Sequence, residues 1–206
     1  CFACDTYVHN PYGEECRAED IPRKKPALSK EEIVGRMEEI SKLSAIDLQD
    51  RRLRKVALES YGIKIGLSEQ DGKTIAFHHY PYTKDGELVR YKSRFVPTKA
   101  MWSVGTSNDV DLFGWERAIA TGARRLIVVE GELDAPSLET ILRRYQDEKY
   151  KELIPAVCSL PNGAASAGRD LARLAPKIRR YFKEISFAFD GDDAGQKATE
   201  EACKVF

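Results

Sequence analysis

Leu126-Ile127-Val128-Val129 running into Glu130-Gly131-Glu132-Leu133-Asp134, and Ile185-Ser186-Phe187-Ala188-Phe189 running into Asp190-Gly191-Asp192-Asp193-Ala194-Gly195, decide how this chain folds. Each is a short apolar run that stops abruptly on acids and glycines. Ala156 to Leu160 makes a third run, and helical patterns follow all three, over 134–146, 168–182 and 194–206. Strands that alternate with helices in this way specify a parallel sheet covered by helices, so the fold class is α/β. In such sheets ligands lie beyond the carboxyl ends of the strands. Those ends here are acidic, and if the first and last strands are neighbours, at least three carboxylates meet in one crevice.

Two unit charges about 4 Å apart repel by roughly 4 kcal/mol at an effective dielectric near 20. A cluster of Glu130, Asp134, Asp190 and Asp192 therefore holds a proton or binds a cation. Oxygen-only donors favour a hard divalent ion, magnesium or its substitute manganese, which keeps waters and bridges to phosphates. Each acid also has a plainer role open to it. Asp134 can cap the helix that follows, and Asp193, with Gln196 three residues on, can cap the last helix; we assign the cap to Asp193. Glu132 is expected to face solvent. A calcium loop fits Asp190, Asp192, Gly195 and Glu201 by spacing, but Ala194 stands at a ligand position and a strand precedes it.

Upstream, Ser29 with Glu32 forms a capping box ahead of Ile33, Met37 and Ile40, predicting a helix over 30–42, and a second helical stretch runs to about Tyr61. From Ile63 the period changes to two. The turns Asp71-Gly72 and Asp85-Gly86 divide extended runs, an antiparallel meander. Arg90, Lys92 and Arg94 alternate along one run, so their side chains make a positive stripe on one face, a phosphate-binding surface or a solvated one. His78, Tyr80 and Tyr82 share a face of the neighbouring run, read as an ordinary half-exposed sheet. Asn162 and Gly163 follow the second parallel strand beside the acids, where glycine lets backbone approach a phosphate or simply makes a turn.

Residues 1–20 carry Cys1, Cys4, Cys16 and His9 in polar sequence too short for a core, which asks for a metal staple. Residues 21–28, with two prolines and clustered charge, read as a linker. The division expected is thus 1–20, 21–28, 29–122 and 123–206. The chain opens on Cys1 inside a Cys-x-x-Cys and closes in a helical pattern, as a piece of a longer protein would. The five cysteines are an odd number, and Cys158 and Cys203 read as small buried side chains in a reducing, cytoplasmic setting. Thirty-three basic residues balance thirty-three acidic ones, so any nucleic-acid binding is local. No apolar run approaches the roughly 18 to 20 residues that span a bilayer, and no membrane partner is expected.

The two acidic motifs together resemble the TOPRIM module of bacterial-type primases, type IA and II topoisomerases and some nucleases. Nearly the whole chain is similar to the primase half of bifunctional primase-helicases of short-tailed phages, whose mitochondrial relative is the Twinkle helicase. Cys1-Phe2-Ala3-Cys4, Asp111-Leu112-Phe113-Gly114 and Ser159-Leu160-Pro161-Asn162-Gly163-Ala164 carry that likeness besides the acids. The resemblance implies synthesis of short RNA primers on single-stranded DNA from ribonucleoside triphosphates. It implies catalysis by Glu130, and magnesium held by Asp134, Asp190 and Asp192. It implies nucleotide and template contacts from Lys92 and Arg94, with Lys99 a weaker match, and a replicative helicase in cis with a DNA polymerase as partner. Zinc is implied for the full-length protein, with Cys1 and Cys4 as half a ribbon whose other pair lies upstream. The family's next acidic motif is expected beyond Phe206, and no phosphate-binding Gly-x-x-x-x-Gly-Lys-Ser/Thr occurs in these residues. Two other readings stay open: a primase-like region that binds DNA without catalysis, and a TOPRIM nuclease or topoisomerase fragment.

Overall fold

The computed structural model describes residues 28–206. The ribbon half at 1–20 with Cys1 and Cys4, and the linker up to residue 27, lie outside the described residues. Helix α1 (Lys30–Lys42) opens on the expected box: the Glu32 N–H donates to Ser29 Oγ (3.1 Å) and the Ser29 N–H to Glu32 Oε2 (2.7 Å). The second helical stretch is shorter than expected. Leu48 and Leu53 pair across a 3-10 turn at Gln49–Arg51, and only Lys55–Ser60 forms helix α2. Asp47 explains the late start, because its carboxylate accepts from the Lys55 N–H (2.6 Å).

Strands β1 (Lys64–Leu67), β2 (Ile75–Lys84), β3 (Glu87–Phe95) and β4 (Met101–Gly105) form an antiparallel sheet in sequence order. Asp85 and Gly86 both have positive φ, the conformation a two-residue hairpin needs to match strand twist. Register pairs His78 with Arg94, Tyr80 with Lys92 and Tyr82 with Arg90, so the aromatic positions and the basic stripe share one face. That face is inside, not half-exposed. Tyr80 and Tyr82 are fully buried around Phe113, and His78 is buried with them. Burial, then the nearby Arg94 charge, holds the His78 ring neutral, with its pKa down at about 4.

Strands β5 (Arg125–Val129), β6 (Ala156–Ser159) and β7 (Glu184–Ala188) form the parallel sheet in the order β6-β5-β7. Leu126 and Val128 point into a core with Leu171, Leu174 and Ile178 of helix α5 (Ala167–Tyr181). Ile127 and Val129 point the other way, toward Tyr80, Tyr82 and Phe113. The central strand is thus covered on both faces, which is why it reads as a continuous apolar run. Helix α3 (Trp115–Ala120) follows Asp111-Leu112-Phe113-Gly114, whose Phe113 pairs with Ser159 at the end of β6. Buried Asp111 accepts from Lys177 of α5 (2.8 Å) and from the Asp85 N–H (3.1 Å), tying the hairpin to the helix layer. Helix α4 (Asp134–Tyr145) follows β5, and helix α6 (Asp193–Cys203) follows β7. The last helix therefore stops at Cys203 instead of running to Phe206. Cys158 is buried as expected, whereas Cys203 is exposed. No helix among the described residues is long and apolar enough to cross a membrane.

Candidate active site

Strands β5 and β7 are direct neighbours, in register from Arg125 opposite Glu184 to Val129 opposite Ala188. The residues that leave their tips, Glu130 on one side and Phe189-Asp190 on the other, consequently flank one crevice. Glu130 is half-buried, and its Oε2 is buried with no hydrogen-bond partner. An unpaired buried carboxylate oxygen is costly, and sites that store such a cost are commonly functional. Asp134 does not cap α4. It reaches back to accept from the Gly131 N–H (3.0 Å), which turns its carboxylate toward the strand tip. Desolvation raises its pKa above the ordinary carboxylate range, and the charge of Asp190 pushes the same way, so these two acids feel each other across the crevice.

The cap on α6 falls one residue earlier than expected. Asp192, not Asp193, is the N-cap, accepting from the Gly195 N–H (2.8 Å). Gly195 explains the shift: a Cβ there would stand 2.0 Å from the Asp190 carbonyl oxygen, so the helix start packs directly on the acidic loop. Gly195→Ala is expected to cost about 1–3 kcal/mol of stability through this overlap, read as a lowered midpoint in thermal unfolding. Among the described residues no three His, Cys, Asp or Glu side chains converge as they stand. Asp134 is drawn onto Gly131 and Asp192 onto Gly195, while Glu130 stands half-buried at the tip of β5 and Asp190 is exposed beyond the tip of β7.

Glu132, expected in solvent, is buried at 7 % exposure. Its Oε1 accepts from the Tyr82 hydroxyl (2.7 Å) and pairs with Lys92 Nζ (2.7 Å), which also donates to the Pro161 carbonyl (3.1 Å). Lys92 therefore bridges the meander to the loops after both β5 and β6. Burial and the Glu132 charge hold the Tyr82 phenol protonated. Arg90 is buried over the Tyr82 ring, 4.8 Å from its centroid, and burial opposes its charge. Arg94 is half-buried, and Lys99 is exposed with positive φ at the turn into β4. Asn162 donates to buried Asp170 (2.8 Å), and Gly163, at φ 73, starts the 3-10 turn Ala164–Ser166.

Two residues at the site escaped the sequence reading. Glu132 was hidden because its partners lie far away in the chain. Arg51, on the 3-10 turn, stands near enough to Asp134, Tyr80 and His78 for its charge to bear on all three. Nothing in the local pattern marks it out.

Comparison with known proteins bears on the fold and the family. Residues 127–206 match the Toprim-like family. The DNA helicase/primase of Enterobacteria phage T3 is 29% identical over 208 residues, spanning 100% of this chain and 33% of that protein. The chain thus corresponds to about a third of the length of this relative. The crystal structure of the primase fragment of the bacteriophage T7 primase-helicase superposes with a TM-score of 0.63 at 27% identity, covering 80% of this chain and 62% of that one. A bacteriophage T7 lagging-strand DNA polymerase complex, with primase domains bound to an RNA/DNA hybrid and dTTP, matches with a TM-score of 0.61 at 29% identity, covering 80% and 75%. Residues 127–206 are thus similar to the Toprim-like family, and the chain resembles the primase half of a phage-type primase-helicase.

Proposed function

We propose that this chain makes RNA primers: short RNA copied from single-stranded DNA, built from ribonucleoside triphosphates, within a protein that also carries a replicative helicase and works beside a DNA polymerase. In this reading residues 29–122 are its N-terminal subdomain and 123–206 its TOPRIM subdomain. The observation that carries the reading is the pairing of β5 with β7, which puts Glu130, with its unpartnered oxygen, beside the loop of Asp190 and Asp192.

The donor set fits magnesium, since every candidate ligand is a carboxylate and one buried oxygen lacks any other partner. Glu130, Asp134, Asp190 and Asp192 would hold it. When bound, it supplies charge neutralisation at a transferring phosphoryl group. The chain's own residues do the positioning. Glu130 stands to take the proton from the attacking 3′ oxygen as the bond to the α-phosphorus forms and pyrophosphate leaves. Arg94 and Lys99 hold phosphates on the template or nucleotide side. Lys92 fixes the two loops that wall the crevice. Zinc held by Cys1 and Cys4 with a further pair would serve template binding in the full protein.

The test is primer synthesis by the intact protein on single-stranded DNA with ribonucleotides and magnesium. Short RNA products that disappear when the metal is chelated are expected. One observation favours a second reading, a DNA-binding region without catalysis: no three carboxylates converge among the described residues. DNA binding without any RNA product would establish it over the first.

A further inference from the structure

Arg90 is the buried member of the basic stripe, and it makes no ion pair or hydrogen bond among the described residues. It is 6 % exposed, yet its Nε and Nη2 are buried with no hydrogen-bond partner. Lys92, two residues on, is matched by Glu132. A guanidinium withdrawn from water without an acceptor is destabilising, so an orphan of this kind calls for an ion or water that completes it. Arg90 lines an open cleft of ≈ 460 Å³ between β3 and α5, shared with Asp109, Asn162, Arg169, Asp170 and Arg173.

The cleft's acids are already committed. Asp109 is taken by Lys84 (2.6 Å) and by Arg173, which also donates to the Val110 carbonyl (2.6 Å). Asp170 accepts from Asn162 (2.8 Å) and lies 3.7 Å from Arg169. Lys84, Arg169 and Arg173 therefore offset two carboxylates, and the Arg90 charge comes on top of that balance. Tyr82 stacks under the guanidinium and holds it in place. A guanidinium fixed in this way at the wall of the cleft is a preorganised donor for an oxyanion.

From this we infer that the cleft between β3 and α5 is a phosphate-binding subsite, with Arg90 as its fixed donor and Asn162, Arg169 and Arg173 at its rim. The choice of phosphate over another oxyanion rests on the priming reading; the unpaired Arg90 donors do not. The phosphate comes from the polyphosphate tail of a nucleotide or from the backbone of a single strand. Asn162 follows β6, the neighbour of β5, so the subsite borders the crevice on the side away from β7.

The experiment measures binding of inorganic tripolyphosphate and of a short oligothymidylate to the full chain without divalent cation, for wild type, Arg90→Met and Arg90→Lys. Arg90→Met keeps the apolar stem over Tyr82 and removes two buried donors that have no hydrogen-bond acceptor. It is expected to melt no lower than wild type and to bind one or both probes about tenfold or more weakly. Loss confined to tripolyphosphate identifies the nucleotide tail; loss confined to the oligonucleotide identifies the strand. Arg90→Lys, which keeps the charge and loses the fork, is expected to weaken the same probe and serves should the methionine variant fail to fold. A folded Arg90 variant that binds both probes as wild type does overturns the subsite, even if it still makes primers. Wild type that binds tripolyphosphate in the cleft but makes no primer keeps the subsite and sinks the priming reading.

Discussion

Glu130→Gln is expected to lower primer synthesis by about 10²–10³-fold while leaving the melting temperature unchanged or slightly raised. The two halves of this expectation come from one observation. The Oε2 atom of Glu130 is buried and has no partner, so its charge contributes nothing to the fold and costs desolvation. Glutamine keeps the shape and removes the charge, together with the proton-accepting and ligating capacity. Asp192 behaves differently, because its side chain also caps α6. Asp192→Asn preserves an N-cap acceptor and should lose activity alone, whereas Asp192→Ala should lose activity and about 1 kcal/mol of stability. Product gels and thermal melts on the three variants separate the roles. Primer synthesis near the wild-type rate in Glu130→Gln, or in Asp190→Ala, would remove the acidic crevice from the mechanism.

How much of this was legible depended on how far apart the interacting residues are in the chain. The parallel sheet was readable because each strand carries its own signal: an apolar run ending abruptly on acids or on Pro161-Asn162-Gly163. That β5 lies between β6 and β7 was only a condition in the sequence reading, and the structure supplies it. The meander was also readable from its period, but its inside and outside were not. Arg90, Lys92 and Arg94 look like a solvated stripe to any local rule, yet they share the buried face with Tyr80 and Tyr82. Lys92 can lie inside because Glu132 and Pro161, distant in sequence, come to meet it. The same nonlocality made Glu132 look like a surface acid. At α6 the local pattern pointed to Asp193 with Gln196, and the structure caps the helix with Asp192, one residue earlier. Gly195, packed on the Asp190 carbonyl, is a nonlocal contact that the capping pattern does not reveal.

Lys92→Met is expected to destabilise the protein by about 3–5 kcal/mol, the cost of breaking a buried ion pair from one side. The change leaves the Glu132 carboxylate buried with only the Tyr82 hydroxyl for company, and it takes from the Pro161 carbonyl its short donor. Replacing both members together is a different matter. In Lys92→Met with Glu132→Leu no charge is left stranded, and most of the lost stability should return. Denaturant unfolding of the two single variants and the double one gives the coupling directly. Activity need not follow stability back. The Lys92–Glu132 pair holds the loop that starts with Glu130 against the loop that starts with Pro161, and a methionine-leucine contact fixes neither loop in direction. The double variant should therefore fold like wild type and prime poorly. A Lys92→Met protein that unfolds at the wild-type denaturant concentration would show that the bridge carries none of this load, and that the crevice walls are set by the apolar core beneath them.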